Sequence, residues 1–142
     1  MPADIAAQTS FVAALAVMVL LGGERSPARE QRPLMGQAAS RLADRIVITS
    51  DNPRGEDPNA IIAAVVAGIA GSCTVEPDRG QAIAAAIAAA DMGDVVVVAG
   101  KGHERWQEVA GSRHPFSDAA VCTACLDAWP HRHASPAEER AP

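Results

Sequence analysis

At 142 residues, with 49% hydrophobic and 20% charged side chains, the chain has the size and composition of one soluble globular domain. A net charge of -5 at pH 7 gives no general attraction to nucleic acid or to an anionic membrane surface, so neither is an expected partner. Three cysteines, Cys73, Cys122 and Cys125, are an odd number in a chain large enough to build a core without disulfide staples, and a reducing cytoplasm is the expected compartment.

The first feature along the chain is the apolar run 11–21. It is too short to cross about 30 Å of hydrocarbon, which takes about 20 residues. The residues before it carry only Asp4 as a charged side chain, unlike the basic start of a signal peptide. Its second half, 14–21, is continuous and apolar and ends at Gly22-Gly23, which predicts a strand covered on both faces. Residues 24–32 are polar, contain Pro27 and read as a loop. Pro33 then opens a helix expected to reach Asp44, and Ile46 to Thr49 form a short β-branched strand.

Asp51-Asn52-Pro53-Arg54 breaks that strand. From Asp57-Pro58, the apolar residues Ile61, Ile62, Val65, Val66 and Ile69 make one stripe on an N-capped helix that Gly71 is expected to close. A short strand is expected over 73–76, and Asp78 caps an alanine-rich helix to about Asp91 with Ile83 and Ile87 on its buried side. Val95 to Val98 have no polar face, which predicts a strand in the middle of a parallel sheet, covered by helices on both sides. After the loop 100–104 come an edge strand at 106–110 and a last helix from Ser117 to about Ala128. From Trp129 onward the chain is rich in Pro, Ala and charge without an apolar period, which predicts disorder. The expected organisation is an extension at 1–13, one domain at 14–129 and a disordered tail at 130–142.

Strands alternating with helices imply a doubly wound, mostly parallel α/β sheet with right-handed crossovers and an antiparallel edge strand. Ligands of such sheets bind outside the carboxyl ends of the strands. Three polar loops, 22–32, 51–57 and 100–105, each follow a predicted strand, so all three should converge on one edge.

Gly100-Lys101-Gly102-His103-Glu104 lets the backbone approach a ligand and turn its N–H groups inward. It is no nucleotide P-loop, which needs four residues between its first glycine and a Gly-Lys-Ser/Thr. In Asp51-Asn52-Pro53-Arg54 the proline limits the turn, and Arg54 can be presented to a ligand at reduced entropic cost. An exposed arginine on a helix-preceding turn explains the same spacing.

Several uncommon motifs occur together and in one order: Gly22-Gly23-Glu24-Arg25, Arg32-Pro33-Leu34-Met35-Gly36, Asp51-Asn52-Pro53-Arg54 with Glu56-Asp57-Pro58, Asp78-Arg79, Gly93-Asp94-Val95-Val96, Ala99-Gly100-Lys101-Gly102-His103-Glu104 with Gln107, and Phe116-Ser117-Asp118. Over about 17–126 the chain thereby resembles the C-terminal domain of the Mur ligases, most of all those that add diaminopimelate to the peptidoglycan precursor.

The resemblance implies a Rossmann-like domain of an ATP-dependent amide ligase. In that family ATP phosphorylates a D-glutamate carboxylate and the amine of the incoming amino acid attacks the acyl phosphate. ATP and Mg are bound mainly by a central domain for which this sequence holds no P-loop. The resemblance further implies that Asp51, Asn52 and Arg54 belong to the substrate site, with Asn52 and Arg54 on the carboxylate at the far end of diaminopimelate. Gly100 and Glu104 would take the ammonium of that end, and Arg25 the other carboxylate. Lys101 and His103 are candidates for the phosphate side, with a loop-stabilising role as the equal alternative.

A guanidinium beside a carboxylate can read both charges of an amino-acid head that lysine lacks. Each charge-assisted bond is worth roughly 1.5 to 3 kcal/mol, enough to discriminate against lysine. One departure stands out. The family's Gly-Gly-Asp-Arg-Asp-Lys is here Gly22-Gly23-Glu24-Arg25-Ser26-Pro27, which removes an acid and a base after Arg25.

On this reading the chain binds diaminopimelate and is not expected to ligate by itself. It would work with a central domain, one that a separate gene could encode. The alternatives are a free-standing amino-acid-binding module, a ligase fragment without function, and a small α/β nucleotide-binding protein, the last of which a negative ATP-binding assay would remove. Cys122 and Cys125 are expected to be helix residues one turn apart, with no metal assigned. His131 and His133 are expected to be solvated, Trp106 to pack on an edge strand, and Arg79 to lie on the surface at a helix N-terminus.

Overall fold

The apolar run before Gly22 and the β-branched segment after Asp44 become neighbouring parallel strands, and the rest of the domain is laid around that pair. The structure is a computed structural model that describes residues 15–21, 29–50, 55–100 and 104–133. In chain order these are β1 (Leu15–Leu21), α1 (Gln31–Leu42), β2 (Arg45–Ser50), α2 (Pro58–Val66), β3 (Thr74–Val75), α3 (Arg79–Ala89), β4 (Val95–Val98), β5 (Trp106–Val109), β6 (Ser112–Pro115) and α4 (Asp118–His133). β1 to β4 form a sheet in the order β3-β2-β1-β4, and each neighbouring pair is parallel.

Alternation along β2 divides the core into two layers, because successive side chains of a strand point to opposite faces. Ile46 and Ile48 pack with Ala39 of α1 and with Ile61, Ile62 and Val65 of α2. Val47 faces the other way, with Val96 and Val98 of β4, onto Ala82, Ile83, Ala86 and Ile87 of α3 and onto α4. Helices therefore cover both faces of a parallel sheet, the doubly wound α/β class expected of the sequence. The helix stripes are the expected ones, and the two acidic caps are formed. Asp57 accepts from the Asn59 amide at 3.0 Å and Asp78 from the Gln81 amide at 2.9 Å.

α1 and α2 approach more closely than side chains would allow. A Cβ on Gly36 would stand 2.1 Å from the Val65 carbonyl oxygen, and one on Gly68 would stand 1.8 Å from that of Pro33. These contacts explain Gly36 at the end of the Arg-Pro-Leu-Met-Gly motif, since only a residue without a side chain admits the neighbouring backbone.

Four expectations are corrected. Among the described residues β4 lies at a sheet edge, not in the middle, and Val95 and Val97 are 46% and 40% exposed. An apolar run reports the absence of a polar face, but β1 and β2 take the centre. α2 ends at Val66 and not at Gly71: the Gly68 and Ile69 amides close a turn onto the carbonyls of Val65 and Val66. The expected antiparallel edge strand exists as β5, but its partner is β6 in a separate two-stranded hairpin, and Trp106 is exposed there instead of packed on the main sheet. α4 runs on to His133, past the expected end near Ala128 and through His131. The Trp129 indole anchors this extension, packing on the α3 layer and donating to the Ala90 carbonyl at 3.2 Å.

Candidate functional site

Because β2, β1 and β4 are parallel neighbours, their carboxyl ends share one edge. Leu21 is level with Ser50, and Val98 is level with Met18 on β1. The segments that follow these strands therefore leave from the same side of the sheet, the side on which such folds bind ligands. Arg25, Asp51, Asn52, Arg54, Lys101 and His103 lie outside the described residues. Gly100 and Glu104 lie within them: Gly100 takes the left-handed region at φ 108°, open to glycine and strained for other residues, and Glu104 is half-buried.

Two buried arginines tie the flanks of these segments together, and neither carried a role in the sequence reading. Arg32, at the start of α1, grips Glu56 with both terminal nitrogens: Nη1 donates to Oε2 and Nη2 to Oε1, each at 3.0 Å. This bidentate bridge joins the segment after β1 to the segment after β2. It holds the Glu56 carboxyl below its ordinary value, the Arg32 hydrogen bond being the main cause.

Arg79 corrects its expected surface position. It is 1% exposed, and its Nε and Nη2 donate to Oδ1 and Oδ2 of Asp118 at 2.6 and 2.5 Å. The physical reason is that α4 packs across α3, so the N-terminus of α3 faces a carboxylate and not solvent. Both arginines and both carboxylates stand in the motifs noted above. Their pairing, 24 and 39 positions apart, has no local sequence signal.

Around Arg79 the backbone is stitched to the end of β2. Thr49 and Ser50 both donate their hydroxyls to the Pro77 carbonyl, at 3.3 and 2.6 Å, and the Glu76 amide donates to the Ile48 carbonyl at 3.0 Å. Cys122 and Cys125 sit one turn apart on α4 and pack against the α3 layer, as expected, and burial pushes the Cys122 thiol up. Among the described residues, no group of three or more His, Cys, Asp and Glu side chains is placed to hold a metal ion, and no helix is long and apolar enough to cross a membrane.

The family described as Mur ligase, glutamate ligase domain, matches residues 3–102. The chain belongs to this Mur ligase family. Among curated relatives, the Mur ligase domain is 54% identical over 112 residues to the UDP-N-acetylmuramoyl-L-alanyl-D-glutamate--2,6-diaminopimelate ligase of Chromobacterium violaceum, covering 78% of this chain and 22% of that protein. It is 47% identical over 121 residues to the ligase of the same name from Chlorobaculum tepidum, covering 84% of this chain and 23% of that one. A solved structure of a ligase of this name superimposes with a TM-score of 0.74 at 43% identity, over 82% of this chain and 24% of that chain. The Mur ligase domain described here thus spans less than a quarter of the length of these relatives.

Proposed function

We propose that this Mur ligase domain holds the incoming diaminopimelate of an ATP-dependent ligase that extends a peptidoglycan precursor in the cytoplasm. The observation that carries the reading is the common edge reached by β2, β1 and β4, from which all three motif-bearing segments depart. Arg54 and Asn52 take the far carboxylate of the amino acid, with Asp51 in the same turn. Glu104 and the Gly100 carbonyl take the ammonium beside it, and Arg25 takes the other carboxylate. The guanidinium and carboxylate form a complementary pair of sites for one zwitterionic head. Held at both ends, the reacting amine, as its free base, is oriented toward the acyl phosphate; the new C–N bond forms as the C–O bond to phosphate breaks, and the proton lost by the amine leaves with the departing phosphate.

ATP and Mg are assigned to a P-loop central domain, in the same polypeptide or separately encoded, which supplies phosphoryl transfer. Lys101 and His103 are assigned to the side of the site that meets it. The diaminopimelate-adding activity named for the relatives supports the choice of amino acid.

Calorimetric titration of the protein with diaminopimelate and with lysine tests the reading. Saturable uptake of diaminopimelate but not lysine is expected, with affinity falling about ten- to a hundredfold in Arg54→Ala. Equal binding of both amino acids, or heat with neither, overturns it.

A further inference from the structure

We propose that the buried Arg79–Asp118 pair is a positioning clamp that sets the end of β2 against the segment following β4, and so fixes the spacing of the two halves of the amino-acid head site. The inference rests on the function proposed above for what the clamp serves, and on the structure for the clamp itself.

A continuous line of contacts crosses the molecule. Ser50, the last residue of β2, donates to the Pro77 carbonyl at 2.6 Å. Two residues on, Arg79 opens α3 and forks onto Asp118, the first residue of α4, at 2.6 and 2.5 Å. Just before α4, the Phe116 amide donates to the Arg105 carbonyl at 2.9 Å, and Arg105 adjoins Glu104. The line therefore begins one residue before Asp51 and ends one residue after Glu104. Both flanks belong to the segments assigned to the far carboxylate and to the ammonium of one ligand head. A shift between those flanks separates the two charges that must meet it together.

The energetics point to geometry over stability. Two charges withdrawn from water lose hydration that their attraction repays only with complete hydrogen bonding, and apolar side chains of similar volume often serve as well or better. Here the bonding is incomplete among the described residues, since Arg79 Nη1 is buried without a hydrogen-bond partner there. A pair retained only to fill space has no need of this arrangement. A planar guanidinium locked to a carboxylate by two parallel bonds does fix the relative position and orientation of two helix starts.

The test compares the wild-type chain with the double variant Arg79→Met/Asp118→Leu and with Arg79→Lys. Diaminopimelate affinity is read by calorimetry, thermal midpoint by calorimetric melting and local opening by amide hydrogen exchange. The clamp predicts a double variant whose midpoint stays within a few degrees of wild type, whose affinity falls at least about tenfold, and whose exchange accelerates at Ser50 and Glu104 but not at Ile61 and Val65. Arg79→Lys, which keeps the charge but loses the fork, falls between. Affinity and exchange unchanged in a folded double variant overturn the clamp. A uniform acceleration across both core layers also overturns it, because that marks a merely stabilising pair. If the double variant fails to fold, Arg79→Lys decides alone: unchanged affinity and unchanged Ser50 and Glu104 exchange overturn the proposal. If wild type takes up no diaminopimelate, the proposed function fails, while localised exchange at Ser50 and Glu104 still reports on the clamp.

Discussion

Arg32 and Glu56 meet as a two-bond fork, both N–O distances 3.0 Å, and so lock the start of α1 to the turn that precedes α2. A carboxylate held by a fixed guanidinium is favoured in its charged form. The pH dependence of the fold follows from that relationship.

The Glu56 carboxyl lies below its ordinary value of 4.5 in the folded protein, mainly through the Arg32 hydrogen bond. A depressed acid contributes stability above its unfolded value and loses it as pH falls through the folded one. The expected outcome is full stabilisation at neutral pH and a decline in thermal midpoint as the solution is acidified below that value. Glu56→Gln should start from a lower midpoint at neutral pH and show a shallower acid decline. Parallel acid profiles for the two proteins would contradict this assignment.

The glycines at the crossing of α1 and α2 have no room for a methyl group. In Gly36→Ala the new carbon would stand 2.1 Å from a backbone oxygen of α2, and in Gly68→Ala 1.8 Å from one of α1. Backbone atoms cannot swing aside as a flexible side chain can, so the helices must separate. Each substitution is expected to lower the unfolding free energy by about 2–3 kcal/mol. Urea titration with an unchanged slope and a shifted midpoint is the measurement.

Burial separates Ile83 from Leu42. Ile83 is 0% exposed in the α3 layer, whereas Leu42, at the last residue of α1, is 72% exposed. Ile83→Ala should cost about 2–5 kcal/mol through lost transfer energy and the cavity left behind. Leu42→Ala should remain within about 0.5 kcal/mol of wild type. A smaller loss at Ile83 than at Leu42 would show that the α3 layer is not a packed core.

Much of this architecture was legible before any coordinates. The caps Asp57 and Asp78, the stripe Ile61-Ile62-Val65 and the buried pair Ile83 and Ile87 follow from periodicity and capping, which depend on residues within one or two turns of each other. That β1, β2 and β4, the strands preceding the three polar segments, run parallel and end on one side of the sheet followed from strand–helix alternation. The motifs that carry the family resemblance were equally visible, although Arg25, Asn52 and Arg54 fall outside the described residues.

The amino-acid sequence by itself determined the element types apart from β6, the capped starts of α2 and α3, and the doubly wound class, because each arises from interactions between near neighbours in the chain; α1 begins at Gln31, two residues before the expected Pro33. Only the tertiary structure decided that the four valines of β4 line an edge, that β5 pairs away from the main sheet, and that Arg32 and Arg79 are buried against Glu56 and Asp118. Strand order and ion pairs 24 and 39 positions apart are set by how whole elements pack, and no local pattern encodes which distant charge a buried guanidinium will meet.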